Sequence, residues 1–111
     1  MKTQIAKMPE PPYYAVIFTS LRSEIDEGYS KMAIEMEDLV QQQPGFLGFD
    51  SAHETTGITV SYWKDLESIK LWRNNAQHII ARLNGRKKWY TYFSVRIAKV
   101  EREYNFSSAQ K

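Results

Sequence analysis

Residues 13–20 read Tyr-Tyr-Ala-Val-Ile-Phe-Thr-Ser, a β-branched and aromatic run that is apolar at both parities, and it constrains the fold more than any other segment. Side chains on a strand alternate between faces, so a strand wetted on one side alternates apolar with polar residues. This one needs cover on both sides.

The rest of the chain supplies partners for it. Tyr29, Met32, Ala33, Met36, Leu39 and Val40 recur at the spacing of one helical stripe, and Pro44-Gly45 stops that helix. Phe46 to Ser51 reads as a second strand, His53-Glu54-Thr55-Thr56-Gly57 as turn chemistry, and Ile58 to Trp63 as a third strand paired with the second. Asp65 can cap a second helix carrying Leu66, Ile69, Trp72, Ala76, Ile79, Ile80 and Leu83, with Asn74-Asn75 inviting a kink and Asn84-Gly85 closing it. Trp89 to Val100 is a long last strand. Residues 1–12 and 105–111 read as tails around one domain over 13–104.

The order β-α-β-β-α-β predicts the ferredoxin-like α+β class: a four-stranded antiparallel sheet with two helices on one face. Two helices leave the second face bare, while the first and last strands carry large apolar groups on both. Exposing about six such groups forgoes roughly 9–18 kcal/mol at ~1.5–3 kcal/mol each, as much as a domain's whole net stability of ~5–15 kcal/mol. A chain of 111 residues has nothing left to cover that face. The expectation is a homodimer, sheet against sheet.

Composition removes several classes. No window approaches the ~18 apolar residues of a membrane span, and Met1 to Lys7 lacks the apolar core of an export signal. With no cysteine, disulfides and thiolate chemistry are excluded, and a cytoplasmic protein is expected. A net charge of +2 is too balanced for a dedicated nucleic-acid binder. Phosphate-binding glycine loops, nucleophile elbows and metal-ligand spacings are absent from the sequence.

Among residues that carry chemistry, His53 reads as a solvated hairpin residue, since no second histidine follows four positions on. His78 shares a helix face with Arg82 that points away from the Leu66/Ile69/Ala76/Leu83 stripe, unless a restart at Asn75 turns it. Trp63, Trp72 and Trp89 with Tyr62, Tyr90 and Tyr92 are either core or the walls of a flat apolar slot. Arg86-Lys87-Lys88 fits a helix C-terminus. Gly45-Phe46-Leu47-Gly48-Phe49 is faintly similar to an RNA-binding strand motif, but Phe46 and Phe49, three apart, point to opposite faces of a regular strand. No nucleic-acid partner is expected. The carboxylates of residues 24–27 and 35–38 read as solvent-facing.

Pro44-Gly45-Phe46-Leu47-Gly48, Ser61-Tyr62-Trp63 before Leu66-Glu67-Ser68, Trp72 with His78, Gly85-Arg86 before Trp89-Tyr90, and the closing Arg96 to Arg102 resemble the antibiotic biosynthesis monooxygenase domain over residues 13–104. The resemblance implies a dimeric α+β barrel and, as in characterised relatives, oxygenation of a polyphenol to a quinone without metal, flavin or other cofactor. It makes His78 the candidate catalytic residue, moving a proton, and Tyr62, Trp72, Trp89 and Arg82 the candidate substrate-binding residues around a small aromatic molecule. A non-catalytic ligand-binding or stress-associated dimer of the same fold is the alternative. Haem-degrading members of the superfamily place an axial histidine about ten residues after a helical tryptophan. Ten residues after Trp72 stands Arg82, and the first strand lacks the asparagine those proteins use.

Overall fold

The computed structural model of the chain describes residues 5–82 and 89–108, with side chains left undescribed at 81 and 82. Its elements are β1 (Tyr13–Arg22), α1 (Tyr29–Val40), β2 (Phe46–His53), β3 (Thr56–Trp63), α2 (Leu66–Arg82) and β4 (Tyr90–Val100). The strands form one antiparallel sheet in the order β2-β3-β1-β4. This is the ferredoxin-like α+β arrangement expected from the order of periodicities. The expected stop at Asn84-Gly85 and the basic Arg86-Lys87-Lys88 lie outside the described residues.

The helices sit on the face carrying the even-numbered side chains of β1. Tyr14 and Val16 pack there with Val40 of α1, Trp63 of β3, and Ile69 and Trp72 of α2. Trp63 is wholly buried and stacks on Trp72 at 6.3 Å. Both helix ends follow from local chemistry. Gly45 turns the chain at φ +81°, where a side chain is strained, and its carbonyl accepts the Lys64 N–H at 2.8 Å. Asp65 Oδ1 accepts the Ser68 N–H at 2.8 Å and caps α2.

Two local expectations change. α2 runs from Leu66 to Arg82 without a break at Asn74-Asn75. Instead Asn75 Nδ2 donates to Gln43 Oε1 at 3.1 Å, giving this poor helix former an outside partner. β2 is also not a regular strand. Phe46 pairs with Trp63 but Gly48 with Tyr62, so Leu47 is an extra residue, accommodated beside Gly48 at φ +146°. The bulge puts Phe46 and Phe49 on the same face, rings 6.2 Å apart, where both pack under the helices.

On the opposite face, Tyr62 donates to Asp50, Tyr13 donates to Glu103 beyond β4, and the Ala6 N–H donates to Asp50 Oδ1. The segment before β1 thus lies against β2, with Ala6 and Met8 close over Gly48. Farther along this face Leu21, Ile58 and Tyr92 are exposed. On β4, Val95 and Ile97 share the helix-side register with Phe18 and Val16 yet remain 49% and 47% exposed in the single chain. An edge strand reaches past what two helices cover.

Candidate functional site

Between the helices and the sheet lies a cavity of about 260 Å³. Its roof is the predicted stripe of α1, with Tyr29, Met32, Ala33, Met36 and Val40, joined by Trp72, Ala76 and Ile80 of α2. The floor is a grid set by strand register. Phe49, Ser51 and His53 of β2, Ser61 and Thr59 of β3, and Val16, Phe18 and Ser20 of β1 stand side by side. One end of this grid is apolar and aromatic, against Trp72, and the other carries the imidazole of His53 and the hydroxyl of Ser20.

The bulge aims His53. Past Leu47 the alternation is offset by one residue, so Phe49, Ser51 and His53 face the helices and Asp50 faces away. The ladder also continues to His53 opposite Gly57, with the hairpin closed by the Glu54 N–H donating to the Thr56 carbonyl at 3.1 Å. His53 therefore ends a strand at the cavity mouth, where the sequence pattern indicated a turn. It is exposed to solvent on one side and lines the cavity on the other.

Tyr29 and Tyr90 close the opposite flank, with rings 6.1 Å apart. Burial, followed by the hydrogen bond with Tyr29, raises the Tyr90 phenol well above its ordinary range, while the nearby Arg22 pulls it down. Arg22 stacks its guanidinium 3.4 Å from the Tyr29 ring centre and donates to the Trp89 carbonyl and to Asp26.

The residues singled out in the sequence are distributed differently. Trp72 lines the cavity. Trp89 is buried behind it, its indole N–H donating to the Glu27 carbonyl at 2.8 Å and its ring beside Tyr29, so it fixes the loop before α1. Tyr62 is on the far face of the sheet, bound to Asp50. His78 is exposed and is not among the lining residues, as a helix unbroken at Asn75 requires. The Arg82 side chain lies outside the described residues. Among the described residues no three His, Asp or Glu side chains gather as a cation-binding group, and no helix is long and apolar enough to cross a membrane.

Comparison with known proteins places the chain. It is 49% identical over 104 residues to the uncharacterized protein YqjZ of Bacillus subtilis, covering 92% of this chain and 91% of that one. The chain belongs to the YqjZ family. No family model matches it. Solved structures extend the YqjZ family's likeness at the level of fold. SnoaB, a cofactor-independent oxygenase from Streptomyces nogalater, superposes with a TM-score of 0.62 at 10% identity, covering 89% of this chain and 95% of SnoaB. PA3566 from Pseudomonas aeruginosa gives 0.63 at 14%, covering 86% and 99%. A putative antibiotic biosynthesis monooxygenase from Chloroflexus aurantiacus gives 0.59 at 15%, covering 86% and 97%. The fold of this YqjZ-family chain is that of the antibiotic biosynthesis monooxygenases.

Proposed function

We propose that the protein binds a small planar aromatic compound between its helices and sheet and oxygenates it without a cofactor, as a homodimer. The observation that carries this reading is the cavity itself, an aromatic and methionine-lined space of about 260 Å³ with a few hydroxyls and one imidazole at its rim, in the fold that SnoaB also has. Electron-rich phenols can pass electrons to oxygen once deprotonated, so the protein's tasks are to exclude water, hold the ring and accept a proton. Trp72 and Phe49 offer the ring its walls.

The dimer supplies what one chain lacks. Leu21, Ile58 and Tyr92 on the open sheet face, with Val95 and Ile97 on β4, leave apolar surface wet, and a second copy is the economical cover. The exposure of His78 favours a second reading, a non-catalytic binder of the same ligand class. Oxygen-electrode screening of quinols and flavonoids separates the two. The oxygenase consumes oxygen with wild type and with His78→Ala, and loses turnover in Trp72→Ala. A binder quenches tryptophan fluorescence on titration with these compounds and consumes no oxygen.

A further inference from the structure

One row of the sheet floor is built around a missing side chain. His53 of β2 pairs with Gly57 of β3, which pairs with Ser20 of β1, all on the cavity side. A Cβ on Gly57 would lie 2.8 Å from His53 Nδ1, 3.3 Å from its Cε1 and 3.2 Å from Ser20 Oγ. The imidazole edge thus occupies the space that any other residue at position 57 would fill. Gly57 has no left-handed backbone that demands glycine, so the requirement here is space.

We propose that His53, laid across Gly57 toward Ser20, is the proton acceptor of the cavity for a ligand bearing an acidic phenol. The step is a simple transfer: the ligand O–H bond breaks, an N–H bond forms on the imidazole, and the resulting phenolate is left beside an imidazolium. Burial of the ligand's apolar body strengthens that ion pair. Ser20, almost fully buried with its hydroxyl reaching the same space over Gly57, can donate to the phenolate oxygen. Among the described residues, the other titratable groups around the cavity are Glu37 and Tyr29 of α1 and Tyr90 of β4, with Arg22 stacked behind Tyr29, while α2 presents Trp72, Ala76 and Ile80. Glu37 is the one carboxylate in this set.

This assignment rests on the aromatic-ligand reading of the cavity, and 7-hydroxycoumarin tests the two separately, because its phenol and phenolate absorb at different wavelengths. The full-length protein is titrated with the dye across neutral pH, with binding read from tryptophan quenching and ionisation from absorbance. Bound to wild type, the dye should reach half-ionisation about one pH unit below the free dye, a tenfold gain in phenolate. His53→Ala should bind with that gain lost. Gly57→Ala, which keeps the imidazole but fills its space, should lose most of it, with near-ultraviolet circular dichroism confirming that both variants remain folded. An unshifted dye on wild type, or a shift that survives both variants, overturns the role of His53 while leaving the cavity reading standing. No binding to wild type at any pH overturns both.

Discussion

Tyr62 donates its phenol hydrogen to Asp50 Oδ2 at 3.0 Å, and the same carboxylate holds the Ala6 N–H through Oδ1 at 2.9 Å. Burial, and then the hydrogen bond to Asp50, push the Tyr62 phenol up to about 12 from its ordinary 10. A raised phenol is neutral in the folded chain over a range where the unfolded chain ionises. Its contribution to stability is therefore complete below pH 10 and is lost as the pH rises through about 12. Tyr62→Phe should cost about 1 kcal/mol at neutral pH and flatten the alkaline loss of stability. Urea unfolding between neutral pH and pH 12 checks both, with tyrosinate absorbance following the ionisation directly.

Gly45 tests a turn. Its φ of +81° is left-handed, and a Cβ there would stand 2.1 Å from Ser68 Oγ and 2.7 Å from Ser68 Cβ. Gly45→Ala should lose about 1–2 kcal/mol from the backbone alone, with a further loss from the collision. In a Ser68→Gly background the collision vanishes and the backbone part remains. A double-mutant cycle by urea unfolding separates them.

Asp65 sits at the start of α2, and its hydrogen bonds with Ser68 hold its carboxyl below the usual carboxylate range. A lowered carboxyl contributes stability above the unfolded-state value and loses it as the pH falls through the folded one. Asp65→Ala should lower the thermal midpoint at neutral pH, and the difference from wild type should shrink on acidification. Calorimetry at several pH values below neutrality reads that convergence.

Val95 and Ile58 address the assembly. Both are more than two-fifths exposed in the single chain, so a charge at either site leaves an isolated subunit folded. If a second copy covers them, Ile58→Asp and Val95→Asp should shift the sedimentation equilibrium from dimer toward monomer at least tenfold. Equal masses for wild type and both variants would dismiss the interface.

Helix positions were the most legible part of the chain, because the spacing from Tyr29 to Val40 and the pairing of Asp65 with Ser68 are short-range signals. The aromatic run of β1, with apolar groups on both faces, was legible for the same reason, and of the cover it calls for on both sides the two helices supply one. What escaped was orientation. The Leu47 bulge offsets the alternation of β2, so the same letters point to the other face, and His53 emerges at the cavity where a solvated turn was expected. Trp89 escaped because its partner, the Glu27 carbonyl, is 62 residues away in the chain, beyond any local pattern. Tyr62 escaped likewise, as its role depends on which face of β3 the N-terminal segment crosses.

A strand of the same letters in which Leu47 paired regularly against Tyr62, with no bulge, would keep the same composition while exchanging what its interior wall presents. Asp50 would then look inward and His53 outward, turning a base-bearing chamber into an acid-bearing one. Homologues that keep this length but replace Gly48, whose backbone at φ +146° accommodates the extra residue, should be sorted by ligand chemistry before they are sorted by percentage identity.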